Sequence, residues 1–462
     1  MQKEISVLAT YQNILGAKLA HLALLSKGYF AHAGKFSFTN LNRWCFGRGS
    51  GLRSIERFFA TTQDWGVNSS ELVAGFLTRL GGKVSGLLGS WALASDETVG
   101  KKSGHATHGI GYHYSSKDDK VVKSIAVLNL SLLHVGTKLS LPMVQEQLLH
   151  STAGKDKKGK DKKDKNAPAA ADKVAQAPPK KKGRPKGSPN KPKQETEIAY
   201  TFKVLKQVLD QFFKLFAQYF PNLIQIRYLV ADGGFGNYTV AKIALELNLH
   251  LISKLQYNAA LYFPFQGQYK GHGRPPKYGD KLDYKNIPQD ITTQQCTIDG
   301  TTYKVYHLKG MLHKSFDVPL NIVLLFKQNE NKKTRPVVLF STDLLASPQT
   351  IIQHYTARFR IEFNFRDARQ FFGLSHFKSI SQIQVKNTIG YAFFMVCLSN
   401  IILFELNLNN PDCKLSIQDL KAFFRAEKYL NELLNIPENK HHLFLSQQNQ
   451  LKIPFIGAIN LF

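Results

Sequence analysis

The hydrophobic period changes several times along this chain, and the order of those changes limits the fold more than any other feature. Through residues 1–88, apolar positions recur at three and four, as in Leu8, Tyr11, Leu15 and Leu19, which predicts helices. From Trp91 the pattern turns to strands: Trp91–Ala94 running into Asp96, then Gly109–Tyr114, then Ser124–Leu133. A strongly amphipathic helix is predicted over Tyr200–Phe220. It is followed by a strand at Ile224–Val230, a helix near Asn237–Leu247 and a strand at His250–Leu255. Residues 257–342 are rich in Tyr, Thr, Val, Gly and Pro and read as further strands. A long helix is then predicted from Pro348. Three strands, helix, strand, helix, strand, then a β-rich stretch and a long helix suit an α/β chain with a mixed sheet flanked by helices.

Charge narrows the choice of partner. The 462 residues carry 61 Lys and Arg against 33 Asp and Glu, a net charge of +28. Such an excess argues against an ordinary metabolic enzyme and for a polyanion, either nucleic acid or an anionic membrane surface. It is densest between Lys155 and Lys193, where 15 bases face 4 acids, net +11. That stretch holds Lys, Ala, Pro and Gly, no aromatic residue and one large aliphatic, Val174. It cannot bury enough apolar area to offset its ordering entropy, so it reads as a disordered basic insert. Within it, Lys182-Gly183-Arg184-Pro185-Lys186 has the narrow backbone and flanking bases of an AT-hook, and Arg184 would enter a minor groove. A plain polycation would have the same composition.

Other classes are disfavoured. Cys45, Cys296, Cys397 and Cys413 form no CxxC pair, which argues against a zinc ribbon or a disulfide scaffold and suits a reducing, cytoplasmic setting. Met1–Thr10 has no apolar core of signal-peptide length. Gly390–Phe404 is apolar but shorter than the roughly 20 residues of a bilayer span, so it reads as a buried core helix. His105, His108 and His113 lack helical metal spacing and read as structural or phosphate-facing.

Three acids stand out. On a single helix from Pro348, Tyr355, Arg358, Glu362 and Arg369 fall at roughly 0°, 300°, 340° and 320°, an arc of about 60°, with Arg366 beside them at roughly 20°. A carboxylate among guanidiniums and a phenol suits a phosphate chain approaching a metal-holding acid. Taken alone, the stripe is equally a solvated face laced by i, i+4 salt bridges. Asp232 lies at the carboxyl end of a β run and precedes Gly233 and Gly234, where ligands gather in α/β sheets. A helix-capping Asp would have the same surroundings. Asp96 is expected at the end of the first strand, ahead of Lys101 and Lys102. A turn Asp is the alternative, and Glu97, Asp118 and Asp119 are rival first acids. Mg²⁺ favours hard oxygen ligands, few of them from protein, and two such ions suit phosphoryl transfer.

The stretch Tyr355-x2-Arg358-x3-Glu362-x6-Arg369 resembles the Y-x2-R-x3-E-x6-K signature of a group of DDE-superfamily insertion-sequence transposases. Arg369 departs from the usual Lys, a planar fork in place of a point charge. The resemblance spans about residues 35–410. It implies an RNase H-like mixed sheet with flanking helices and a β-rich insertion before the helix of the third acid, which would explain the 130 residues from Asp232 to Glu362. The implied division is a helical DNA-binding region (1–88), core (89–152), basic insert (153–197), core (198–256), β-rich insertion (257–342), final core helices (343–410) and a helical C-terminal region (411–462). Phe38–Cys45 and Leu52–Phe59 resemble a helix-turn-helix, with Arg53 and Arg57 facing outward.

The implied activity is DNA transposition. Asp96, Asp232 and Glu362 would be catalytic and would hold Mg²⁺, with Mn²⁺ as a substitute. Tyr355, Arg358, Arg366, Arg369, Lys101 and Lys102 would grip DNA, as would Arg53, Arg57 and Arg184. The implied partner is double-stranded DNA, at element ends and target. A homodimer in a synaptic complex near the nucleoid of a bacterial-type cell, with no membrane, would carry it out. A transposase-derived binding protein without activity, or a metal-dependent nuclease without strand transfer, are the alternatives.

Overall fold

A computed structural model describes residues 7–434, except 17–18, 47–50, 81–88, 116–118, 150–198, 269–270, 272, 274, 290, 299, 329–334 and 410–413. The basic insert with Arg184 lies outside the described residues.

The helical reading of the N-terminal part holds. Helices α1 (Val7–Leu15), α2 (Ala23–Ala31), α3 (Phe38–Cys45), α4 (Gly51–Ala60) and α5 (Trp65–Leu80) precede the first strand. Ser37 caps α3 by accepting from Asn40 N. Helix α4 buries Ile55 and Phe59 and leaves Arg53 and Arg57 exposed.

The sheet begins with β1 (Trp91–Lys101), β2 (Gly111–Ser115), β3 (Lys120–His134) and β4 (Leu139–Leu148). Helix α6 (Tyr200–Tyr219) leads to β5 (Ile226–Ala231), α7 (Tyr238–Glu246) and β6 (His250–Leu255). Strand β3 runs antiparallel to β1 on one side and to β2 and β4 on the other. Strands β1, β5 and β6 are parallel neighbours. The spatial order β4-β3-β1-β5-β6, three antiparallel strands joined to two parallel ones, is an RNase H-like core with flanking helices.

Two sequence expectations are corrected here. Strand β1 does not end at Asp96 but continues to Lys101, held by β3 alone once β5 has stopped opposite Ser95. Strand β4 is absent from the sequence reading because Pro142 and the polar Gln145–Gln147 run break its pattern. Among the described strands it pairs with β3 alone, and Pro142 sits at the bulge where the register shifts between Leu130 and Ser131.

Residues 257–342 supply β7 (Leu261–Pro264), β8 (Tyr278–Lys281), β9 (Thr293–Ile298), β10 (Thr301–His313), β11 (Leu320–Lys327) and β12 (Val337–Ser341). They extend the core sheet directly, because β12 pairs antiparallel with β6.

The long helix expected from Pro348 is three: α8 (Pro348–Arg358), α9 (Arg360–Gln370) and α10 (Gln382–Asn409), followed by α11 (Ile417–Leu434). Ser347 caps α8, with Pro348 in its first turn. The α8–α9 junction at Phe359 is a slight irregularity (φ −55°, ψ −19°), closed by Glu362 N donating to Phe359 O at 3.1 Å. Helix α10 is long and apolar enough to cross a membrane, yet Tyr391–Leu398 are fully buried within the fold. It packs on β4, α5, α1 and α4 as the core helix.

Candidate active site

The parallel pairing of β1 and β5 sets Ser95 opposite Ala231, so Asp96 and Asp232 follow side by side on neighbouring strands. Where β5 ends, Asp232 opens a short 3₁₀ turn, Gly233–Phe235, and its side chain caps nothing. The capping role falls to Asn237, which accepts from Val240 N at the start of α7. The Asp232 main chain is anchored by Ser253 Oγ donating to Asp232 O at 2.9 Å. A Cβ on Gly236 would lie 2.7 Å from Lys254 O, so glycine is required there for the turn to press on β6. A Cβ on Gly233 would lie 3.3 Å from Lys254 O, tighter than ordinary contact, while Gly234 is open.

Glu362 comes from the first turn of α9, where a carboxylate also suits the helix dipole. The three acids, from β1, the β5 end and α9, meet one side chain. Arg358 Nη1 is 3.1 Å from Asp96 Oδ2; its Nη2 is 3.3 Å from Glu362 Oε1 and 3.6 Å from Asp232 Oδ1. Arg358 is only 8% exposed and Asp96 18%, against 44% for Asp232 and 42% for Glu362, so Asp232 and Glu362 line the mouth and Asp96 and the guanidinium the floor. Tyr355 Oη donates to Asp232 Oδ1 at 3.4 Å, and the Arg358 guanidinium lies 5.6 Å from the Tyr355 ring centre. Burial pushes the Tyr355 phenol up to about 12, so it stays a donor at neutral pH. Burial also raises the Asp96 carboxyl to about 6, against the opposing pull of Arg358 and of Glu97 N, which donates to Asp96 Oδ1.

Beneath the acids lies a polar layer that the sequence reading missed. Asn129 stands opposite Asp96 across the β1–β3 ladder. Its Oδ1 accepts from Ser131 Oγ at 2.6 Å, while its Nδ2 is buried without a partner. Asn364 of α9 donates to Ser131 Oγ and Ser140 Oγ, and Asn400 of α10 donates to Asn364 Oδ1. This network fixes the face of α9 that bears Glu362. The signal was an Asn and two Ser inside otherwise apolar strands, which costs stability unless the groups are paired.

The remaining expected contacts divide. Arg369 does not reach the acids: its Nε donates to Phe365 O at 3.1 Å, one turn back. Arg366 is exposed and paired with Asp367 at 2.8 Å. The predicted arc thus brings Tyr355, Arg358 and Glu362 together but not Arg369, which lies two turns of α9, roughly 10 Å, beyond Glu362 and turns its guanidinium back to Phe365 O. Lys102 is also corrected. It is buried, with its ammonium donating to Phe377 O at 3.0 Å and lying 3.2 Å from the Phe377 ring centre. Lys101 is exposed. Of the rival first acids, Glu97 points away from Asp96 by strand alternation, and Asp119 lies at the β2–β3 tip beside Tyr114. Lys254, which the sequence reading passed over, lays its stem over Gly233 beside Asp232. His113 is buried against Ser124, and His105 meets Lys123.

As the side chains stand, no three His, Cys, Asp or Glu among the described residues are grouped to hold a metal ion. The donor set nonetheless fits a hard divalent cation. Three carboxylates converge on a single positive group, and two of them are open to solvent.

The RNase H-like core thus brings together Asp96 from within β1, Asp232 from the end of β5 and Glu362 from α9. The chain belongs to the DDE superfamily endonucleases, whose family description matches residues 11–314. The match spans Asp96 and Asp232 and ends before Glu362. No curated protein matches the chain.

Proposed function

We propose that the chain is an insertion-sequence DNA transposase that cuts phosphodiester bonds at element ends and joins the freed 3′-hydroxyl to target DNA. The observation that carries this reading is the convergence of Asp96, Asp232 and Glu362 around Arg358. Asp96, Asp232 and Glu362 would hold Mg²⁺, or Mn²⁺ in its place. When bound, the ions supply activation of the attacking oxygen and stabilisation of the leaving one. The protein's own part is to place the scissile phosphate. Tyr355 and Arg358 offer a phenolic O–H and guanidinium N–H donors beside the acids, a fork suited to phosphate oxygens. The Asn129–Ser131–Asn364 layer keeps α9 in register with β1. Exposed Arg53 and Arg57 on α4, exposed Lys101 and Arg366, and Arg184 of the basic insert would bind DNA away from the cut. Double-stranded DNA and a second copy of the chain, in a synaptic pair of ends, are the partners this reading requires.

The test is to incubate the protein with duplexes taken from the ends flanking its gene, with and without Mg²⁺. Nicked ends and joined products, both dependent on Mg²⁺, are expected. Nicks without joined products would assign a nuclease lacking strand transfer. Neither product, with end binding intact, would assign an inactive DNA-binding descendant.

A further inference from the structure

We infer that Arg358 is an internal counterion of the acid cluster that DNA must draw out, so that docking of a phosphate and loading of a divalent cation are coupled through this one side chain. This rests on the reading that the three acids form the metal site. Three carboxylates brought together on separate elements repel one another, and the guanidinium hydrogen-bonds Asp96 and Glu362 and lies in ion-pair contact with Asp232. While it lies among them, they are not grouped to coordinate an ion. Arginine keeps its proton at any pH a protein survives, so the charge leaves the cluster only if the side chain moves.

The placement is suited to exchange. A structural arginine buried to this degree normally has its donors satisfied, yet the Arg358 Nε is buried with no partner. Its contacts to Asp232 and Glu362 are long, at 3.6 and 3.3 Å, and both acids are nearly half exposed. Arg358 is also the last residue of α8, beside the junction at Phe359, where a side chain can swing toward the mouth without disturbing a helix interior. Three carboxylates and one guanidinium leave a formal charge of −2 at the site. Transfer of the guanidinium to a phosphate oxygen raises that to −3 and opens the space between the acids. The two events then favour each other reciprocally.

The experiment measures Mn²⁺ binding to the full chain by the paramagnetic resonance of free Mn²⁺, without turnover. Wild type, Arg358→Met and, as a control for net charge, Lys214→Met on the exposed face of α6 are compared with and without an end duplex. Without DNA, Arg358→Met is expected to bind Mn²⁺ about tenfold or more tightly than wild type, with Lys214→Met within about threefold of wild type. The duplex should tighten Mn²⁺ binding about tenfold in wild type and leave Arg358→Met unchanged. If Arg358→Met misfolds by circular dichroism, Arg358→Lys replaces it, since a shorter, single-headed cation cannot bridge all three acids; a gain of about threefold or more is expected. Equal or weaker Mn²⁺ binding in the folded variant, or DNA coupling that survives it, overturns the inference alone. Mn²⁺ binding untouched by both Asp232→Asn and Glu362→Gln overturns the metal-site reading beneath it.

Discussion

Arg358 and Asp96 are 262 residues apart in the chain, and their side chains meet at 3.1 Å. The contact joins the C-terminus of α8 to the middle of β1, so the β-rich stretch between β6 and α8 must leave and return without disturbing it. Placement of the acids therefore depends on long-range assembly of the sheet rather than on any local motif.

The first expectation concerns the acids. Glu362→Gln, Asp96→Asn and Asp232→Asn each keep side-chain shape and remove a charge. Each should lower end cleavage on the order of a thousandfold, the loss of several kcal/mol of charge stabilisation. End binding in a gel-shift assay should stay within a few-fold of wild type. A variant that cuts at the wild-type rate removes that residue from the site.

Arg358→Ala should weaken binding of cleaved ends by about tenfold or more, since charge-assisted hydrogen bonds to phosphate contribute about 1.5–3 kcal/mol. Arg369→Ala, whose Nε is engaged by the Phe365 carbonyl, should cost less. Titrations on cleaved ends, intact ends and random duplex separate the cases. An equal loss on all three would point to a general charge effect.

Deletion of residues 155–193 removes a net charge of +11. The expected result is an intact fold and intact cleavage chemistry, with weaker DNA binding and a shallower slope of log K against log salt. AT-rich and GC-rich duplexes compared in the same titration test the minor-groove reading of Arg184. A changed slope with unchanged base preference leaves only a polycation.

Lys102 sets a pH dependence. Burial lowers its ammonium to about 7, from 10.5 as the ordinary value. As pH falls from about 10.5 to about 7, the unfolded chain takes up a proton that the folded chain does not, so this group's contribution to stability declines with falling pH and is at its lowest below about 7. The melting temperature of Lys102→Met relative to wild type should therefore rise as pH is brought from 10 to 7. A difference independent of pH would place the Lys102 ammonium in contact with water.

Asn387 ties α10 to the N-terminal helices. Its Nδ2 donates to Phe59 O and Thr61 O, both at 2.7 Å, and its Oδ1 accepts from Trp65 Nε1 at 3.1 Å. Asn387→Ala leaves those groups buried and unpaired, and should destabilise the protein by about 2–3 kcal/mol in urea unfolding. A loss below about 0.5 kcal/mol would show that water replaces the amide.

Much of this was legible in the residues, for identifiable reasons. Strands β5 and β6 and helices α6 and α7 follow strong periods, and their order alone suggested a mixed sheet. The acids were found by their positions after strands and within a basic stripe. What failed were inferences about single segments. Pro142 hid an edge strand, because a bulge at Met143 beside it in the same strand relieves what a central ladder would not tolerate. The β1 strand outran its expected end because β3 continues to pair with it after β5 has stopped. Arg369 was placed by angle on the helix alone, which ignores the two turns of rise that separate it from Glu362. Lys102 was read as a DNA contact, yet an aromatic ring and a carbonyl from 275 residues away enclose it.

The pairing of β12 with β6 has a further consequence. An RNase H-like sheet that stopped at β6 would present an open row of N–H and C=O groups on its parallel side, a template for another chain. Here Ile252–Leu255 are matched by Val338–Ser341, so that edge is sealed by the protein's own later strands. Removing residues 257–342 would thus do more than subtract a surface. It would unmask a sticky margin next to the Asp232 turn, and the shortened protein would be expected to self-associate through it.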